Sequence, residues 1–553
     1  MFYKIINNKK SIAYFVLAFA FVAASCTDLS ENVTDSVTAD TFFQTEEEFV
    51  SALGDAYRTL TGIHGGGYSQ VNEVTSDEIV IPARQQDWFE GGFWFRVLSH
   101  TWTPNEFNGA WTFLYSGVNN SNRLIFQFEE AVASGAADAS LAEPIISELR
   151  ALRAFYYLNL LDIFGNVPIV DSFADAPPTP SQPSADFQQG RTAVFNFVES
   201  ELLATIPLLN DNVQATYARM NRYVGHMVLA KLYMNAEVYT GTARWADAIT
   251  SLDVIINSGN YNLAGNYLDN FVINNSGSPE NMFVVPFDRV FLPGFNLHVM
   301  TLHYASQATY SFQVQPWNGW SGTQKLYETY IDPDKNPGPQ GEVWGIMPVA
   351  NADGLDRIQG TQDSRIGNLI IGPQFTASGE RLRDDGEYGV GLINGTEITF
   401  TPFINDAQFE GCRQCGARIG KYEFEPGIAL GMSNDFVIYR YADVLLLKAE
   451  ALWRLNGGSD PIALQLVNQV RARAGVSPFT SLDADKILDE RMREHFYEMM
   501  RRSDQIRFAG LQGTTRYNDA WKFKEVSGDY RNVMPIPRVQ LEANPNLVQN
   551  PGY

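Results

Sequence analysis

Over most of this chain the apolar residues recur with the period of a helix. From Glu46 onward, Phe49, Leu53, Ala56, Tyr57 and Leu60 fall on one face, the spacing of an amphipathic helix packed against a core. The pattern returns over 110–133 and 143–164, where Leu149, Leu152, Tyr156, Leu160 and Phe164 form one stripe. Further helices are predicted at 190–207, 218–240 and 244–257, and again at 437–456, 460–474 and 485–501. Ala and Tyr at the close contacts of such helix pairs suggest tetratricopeptide-like hairpins, in a degenerate form, since the strict repeat consensus is absent.

Three stretches break the helical period. Residues 63–109 are dense in Gly, Trp and polar side chains and read as long loops carrying exposed aromatics. Residues 167–187 are Pro-rich. Residues 259–435 switch to short β-like runs separated by Gly, Pro and Asn turns. The expected fold is mainly α: a tetratricopeptide-like helical scaffold with an inserted, irregular, loop-rich α/β subdomain. Its divisions are a signal at 1–25, a tether at 26–45 and an N-terminal helical scaffold at 46–258 with binding loops at 63–109. An inserted variable subdomain at 259–435 and a C-terminal helical scaffold at 436–553 follow, all expected to form one unit.

The N-terminus adds an address. Lys4, Lys9 and Lys10 precede an apolar run from Ile12 to Ala24, which ends in Ala23-Ala24-Ser25-Cys26. A basic start, a short apolar run and small residues at its exit describe an export signal. Small residues just before a cysteine make it a lipoprotein signal, with Cys26 as the lipidated first residue. The run is too short to span a bilayer comfortably.

Composition narrows the chemistry. The 553 residues are 45% hydrophobic and 19% charged, enough to bury a large core. With 40 basic and 63 acidic residues the formal charge is −23, the wrong sign for a nucleic-acid partner. Three cysteines exclude a disulfide scaffold. Cys412 and Cys415 form a CxxC without a second pair, and are read as a small structural disulfide rather than a metal site. The six His include no HExxH, and His298 and His303 are five apart, off one helical face. No cofactor is expected; a structural calcium would find carboxylates in plenty, but no spacing pins one.

Several long segments then carry a resemblance: TSDE (75–78), IPAR (81–84), Asp87-Trp88 and His100-Thr101-Trp102 near the N-terminus; ELRALRAFYYLNLLDIFGNVPIV (148–170); FVIYRYADVLLLKAEALWR (436–454); LVNQVRARAG (466–475); ERMREHFYEMMRRSDQIRFAG (490–510); and IPRVQLEANPNLVQNPGY (536–553). In this order they resemble the SusD/RagB family over nearly the whole mature chain. The resemblance implies a surface lipoprotein of the Gram-negative outer membrane, with tetratricopeptide-like units cradling a variable region. It implies that the protein binds glycans without cleaving them, and passes them to a SusC-like TonB-dependent transporter as its partner.

Most of these signatures read as scaffold. Arg440, Tyr441, Asp443 and Glu450 sit on an otherwise apolar helix and must be paired if buried; Arg501, Arg502 and Asp504 are the expected partners. The terminal Asn544-Pro545-Asn546 and Asn550 to Tyr553 read as docking turns. Binding belongs to loops, because a sugar offers an apolar face for an aromatic and a hydroxyl edge for rigid polar groups. Arg84, Asp87, Trp88, Trp102 and Asn105 supply such a set. In glycan-binding relatives an Arg, and further on a Trp with an Asn three residues later, contact sugar; Arg84, Trp102 and Asn105 follow that order. A second set is Tyr304, Trp317 and Trp320, the two indoles flanking the turn Asn318-Gly319.

The acidic balance favours a neutral glycan. Two alternatives stay open: a receptor of the same fold for a peptide or glycoprotein, and a glycoside hydrolase. The hydrolase would need two carboxyls roughly 5–10 Å apart, and Asp77/Glu78, Asp87/Glu90 and Asp356/Asp363 are pairs that an acidic chain produces by chance.

Overall fold

Thr45 opens the first long helix. Its hydroxyl accepts the Glu48 N–H and the Glu48 carboxylate accepts the Thr45 N–H, a reciprocal cap. The computed structural model describes residues 43–331, 361–384, 395–511 and 516–553. The signal, Cys26, most of the tether and Asp356 lie outside the described residues.

Ten helices of seven or more residues are present among the described residues: α1 (Glu46–Arg58), α2 (Asn108–Ala133), α3 (Ala139–Phe164), α4 (Phe187–Thr205), α5 (Arg222–Met234), α6 (Trp245–Ser258), α7 (Tyr441–Leu455), α8 (Pro461–Arg473), α9 (Ala484–His495) and α10 (Arg501–Arg507). Neighbours pack in sequence order: α2 on α3, α3 on α4, α5 on α6 and α7 on α8. The α2–α3 contact is so close that a Cβ at Gly117 would stand 2.2 Å from the Tyr156 ring; glycine is what lets this pair meet. Helix α6 also packs on α7, so the two helical scaffolds, separated by more than a hundred residues of sequence, form one surface.

Strands are short and serve as stitches. They are β1 (Ile79–Val80), β2 (Asn281–Val285), β3 (Ser321–Gly322), β4 (Leu369–Ile370), β5 (Gly372–Pro373), β6 (Thr399–Phe400), β7 (Arg418–Ile419) and β8 (Phe436–Arg440). The four sheets among the described residues are antiparallel pairs: β1 with β3, β2 with β8, β4 with β7 and β5 with β6. Two segments depart from the sequence reading. Residues 437–440, expected as the start of a helix, belong to β8, a strand buried along its length on β2; a short apolar run has no periodicity that separates the two. The helix expected over 485–501 breaks after His495, where Tyr497 and Met499 take φ of 60° and 61°. Glu73 holds that turn, its carboxylate accepting the Met499 N–H at 2.6 Å.

The break belongs to a buried network of charges. Arg440, wholly buried, donates to Glu280 at 2.6 Å, Glu494 at 2.6 Å and Glu498 at 2.8 Å. Lys421 also reaches Glu498, at 2.5 Å. Arg365 pairs with Asp363, Glu490 and Glu494, and Arg473 with Glu280 and Glu494. Asp443 accepts from Arg491 and Lys231, each at 2.9 Å, and Glu450 from Arg507 and Arg454, each at 2.8 Å. The expected partners thus shift. Arg501 holds Asp77 at 2.7 Å and Arg502 holds Asp162 at 2.6 Å, while Asp504 takes Arg491 and Arg507. Sequence identifies these residues as buried pairs but not who faces whom, because many partners lie on distant elements: α3, α5, α9, the residue before β2 and the 70s turn.

Two predictions follow from this network. Removing one member of a buried ion set leaves uncompensated charge, at about 3–5 kcal/mol. Arg440→Met should therefore lower the free energy of urea unfolding by at least that amount, and an unchanged midpoint would remove Arg440 from its central place. The second prediction concerns pH. Burial alone would raise Glu490 and Asp504, but Arg365, Arg493 and Arg471 outweigh it at Glu490, and Arg491 and Arg507 at Asp504, holding each carboxyl at about 2. Folded values below the unfolded ones stabilise above the ordinary carboxylate range, and that stability is lost as pH falls through about 2. Glu73 and Glu78 are the opposite case. Burial raises both, so their contribution is present at low pH and fades as pH rises. Thermal midpoints should be highest in the mildly acidic range and drop steeply below pH 4. Glu73→Gln keeps an acceptor for Met499 and should raise the midpoint at pH 8 but not at pH 5; equal shifts at both would refute the sign.

Candidate functional site

The pairing of β1 with β3 brings the chain after Val80 beside the chain before Ser321, so two loops far apart in sequence build one surface. In the first, Arg84 and Asp87 exchange backbone hydrogen bonds, the Arg84 N–H reaching Asp87 O at 2.8 Å and the Asp87 N–H reaching Arg84 O at 3.3 Å. Gln85, Trp88 and Glu90 take φ of 62°, 57° and 39°. In the second, the N–H groups of Trp317, Asn318 and Gly319 donate to the carbonyls of Val299, Leu302 and Met300 at 2.6–2.9 Å, and Asn318 takes φ 57°. Four of the eleven left-handed non-glycine residues among the described residues therefore cluster here. Such conformations cost energy and persist only where the surroundings impose them.

Arg84 imposes them from beneath. It is 2% exposed, and its guanidinium donates to the carbonyls of Pro82, Asn318, Cys412 and Cys415. The expectation that Arg84 reads sugar hydroxyls is corrected: its donors are spent on backbone. Burial pushes its pKa down to about 9, against the opposing field of Asp87. Arg418 lies beside it, also buried, donating to Cys415 O, Gly416 O, Ser321 Oγ and Asn318 Oδ1 at 2.7–2.9 Å. Arg413 pairs with Asp384 at 2.8 Å and lies 4.5 Å from the Tyr304 ring centroid. Cys412 and Cys415 are joined in a disulfide, their Cα atoms 5.2 Å apart, so the loop whose carbonyls hold Arg84 is itself closed.

On this floor stands an open cleft of about 810 Å³, lined among others by Asp87, Trp88, Tyr304, Gln315 and Trp317. The Trp88 Nε1–H donates to Trp317 O at 2.6 Å. Its ring lies against Gly319, where a Cβ would stand 2.3 Å from it; only glycine admits the indole there. Trp317 is 39% exposed. The Tyr304 hydroxyl donates to Asp87 Oδ2. Burial raises the Asp87 carboxyl, with Arg84 and Arg413 opposing, and burial together with the charge of Asp87 raises Glu90. Among the described residues lining the cleft there is no Lys, Arg or His. Such a surface offers flat indole faces, carboxylate acceptors and amides, and no cation for an anionic ligand.

The other candidates stand elsewhere. Trp102 is 1% exposed: its Nε1–H donates to the Tyr553 hydroxyl at 2.9 Å and Arg531 caps its ring at 5.0 Å. It anchors the chain end, and its face has no room for a sugar. Asn105 is exposed on the turn after it, away from the cleft. Trp320 is also 1% exposed, the inner member of a ladder in which Trp88, Trp94, Trp320 and Tyr497 meet at centroid distances of 5.8, 6.2 and 6.1 Å. The 63–109 stretch, expected to carry exposed aromatics, is largely buried, Trp94 included. Sequence reasoning missed Gln86, Gln315 and Pro316 as cleft-lining residues and named Glu90 only as half of an acidic pair; their adjacency to Asp87, Trp88 and Trp317 is the signal that would have found them.

Comparison with known proteins fits this architecture. Residues 293–553 match the model of the SusD family. The starch-binding protein SusD of Bacteroides thetaiotaomicron is 24% identical over 515 residues, covering 87% of this chain and 84% of the relative. A SusD-like protein of Bacteroides ovatus is 22% identical, covering 94% of this chain and 86% of the relative. Among solved structures, surface glycan-binding protein A from Bacteroides thetaiotaomicron in complex with laminarihexaose superposes with a TM-score of 0.65 at 21% identity, over 91% of this chain and 99% of the other. The family match over its C-terminal part and the relatives that run nearly its full length make this chain similar to proteins of the SusD family, and the solved structure shares its helical fold.

Proposed function

We propose that this protein is a non-catalytic, surface-exposed glycan-binding protein whose ligand lies on Trp317 and Trp88, with Asp87 and Tyr304 reading hydroxyls. The observation that carries the reading is the pinned indole pair: one ring exposed, the other bonded to its backbone, above a floor that cannot shift. Relatives described as starch-binding and laminarihexaose-bound support the ligand class. The carboxylates of Asp87 and Glu90, with no cation among the described residues of the cleft lining, favour a neutral glycan over a uronic or sulfated chain.

Lipid attachment at Cys26 to the outer membrane and delivery to a SusC-like TonB-dependent transporter complete the proposal. Support comes from the small residues before Cys26 and from the family. No helix among the described residues is long and apolar enough to cross a membrane.

Affinity gels and calorimetry with a panel of starch, laminarin, acidic polysaccharides and peptides test the reading. Trp317→Ala and Trp88→Ala should weaken binding of the cognate glycan about tenfold, the scale of one aromatic stack, with no product released. Trp102→Ala and Trp320→Ala should instead cost about 3–5 kcal/mol of stability and leave the affinity of the folded fraction unchanged. Affinity lost only in the latter pair would place the site elsewhere; products would make the protein a hydrolase, and binding of peptides alone would make it a receptor of another class. For the location, Cys26→Ala should release the protein from the outer membrane and abolish co-purification with a transporter, whereas a variant that stays anchored contradicts lipidation there.

A further inference from the structure

One aromatic pair beside the cleft is not absorbed by this reading. The loop 402–411 lies along residues 83–85: the Ala83 N–H donates to Ala407 O at 3.1 Å, the Gly411 N–H to Ala83 O at 3.0 Å and the Gln85 N–H to Phe409 O at 2.8 Å. Within the loop the Asp406 carboxylate accepts the N–H groups of Gln408, Phe409 and Glu410 at 2.9, 3.1 and 2.6 Å. The Asn405 side chain spans its ends, donating to Glu410 O and accepting the Cys412 N–H, both at 2.8 Å. A loop so laced holds its side chains in place. Phe409 is nonetheless 40% exposed, flanked by exposed Gln408 and Glu410. Its ring meets that of Phe89 edge to face, centroids 5.5 Å apart at 84°. Phe89 is the residue after Trp88, between the left-handed Trp88 and Glu90.

Single exposed apolar side chains are ordinary. This one differs in being immobilised, paired with a second ring and continuous with the aromatic cleft through adjacent residues. We propose that Phe89 and Phe409 form a second aromatic subsite, which takes a further sugar of the glycan chain seated on Trp317 and Trp88. The ring faces supply stacking, while Gln408 and Glu410 supply amide and carboxylate at the hydroxyl edge. The inference rests on the cleft reading and deepens it: the protein distinguishes long chains from short ones, and it does so through the loop that the Cys412–Cys415 disulfide closes at its foot.

Titration calorimetry with laminaritriose against laminarihexaose, and maltotriose against maltoheptaose, tests it. The parent should bind the longer member of the cognate series more tightly. Phe409→Ala should weaken the longer ligand by about threefold to tenfold, as expected for one aromatic contact, and leave the trisaccharide unaffected. Phe409→Trp should retain the length preference, and unchanged melting temperatures should show that both variants are folded. If Phe409→Ala binds every length as the parent does while Trp317→Ala loses all of them, the second subsite is refuted and the cleft stands. If Trp317→Ala binds both lengths as the parent does, the cleft reading fails and takes the second subsite with it.

Discussion

The structure depends on charges buried where no water can compensate them. Arg440 faces three glutamates that come from the residue just before β2, from α9 and from the turn after α9, so it can be satisfied only when all three segments are in place. Arg365 and Arg473 impose the same condition on Glu490, Glu494 and Glu280. Since a buried ion pair roughly breaks even against an apolar substitute, its effect is less to add stability than to penalise any arrangement that leaves a member unpaired. This explains why helices from opposite ends of the chain and strands from the irregular middle form one body with a shared core. It also explains the broken helix after His495: Glu498 must turn back toward Arg440 and Lys421, and Met499 must offer its N–H to Glu73.

The same principle works at smaller scale beneath the cleft. Arg84 and Arg418 carry donors that backbone carbonyls accept, and those carbonyls belong to the loops that present Trp317, Trp88 and the disulfide. A recognition surface made of loops gains precision when its backbone is held from below, because little ordering entropy is left to lose when ligand arrives. The left-handed residues in these loops are held by that floor. Their strain is compensated by bonds made before any ligand is present.

How much of this was legible in the sequence varies with the kind of information. The amphipathic helices were, because Phe49, Leu53 and Ala56, or the Leu149 to Phe164 stripe, announce a buried face by spacing alone. The strand β8 was not, since Phe436 to Arg440 is buried along its whole length and shows no alternation. Residues carrying chemistry were found by type, and Asp87, Trp88, Tyr304 and Trp317 do converge on one cleft. Depth was not legible. Trp102, Trp320 and Arg84 have the composition of a sugar site and lie under the surface, because whether a loop aromatic points outward is decided by partners such as Tyr553 and Tyr497, far away along the chain.

If buried charges fix the loops in this way, the indoles of Trp317 and Trp88, and not those of Trp102 and Trp320, meet the ligand. A crystal structure of the protein with its bound oligosaccharide tests it most directly. The account predicts a sugar ring stacked on Trp317 beside Trp88, a hydroxyl within hydrogen-bond distance of Asp87, and Arg84 still engaged with the carbonyls of Asn318 and Cys415. A sugar seated at Trp102 and Asn105, or an Arg84 guanidinium turned outward onto a hydroxyl, would contradict it.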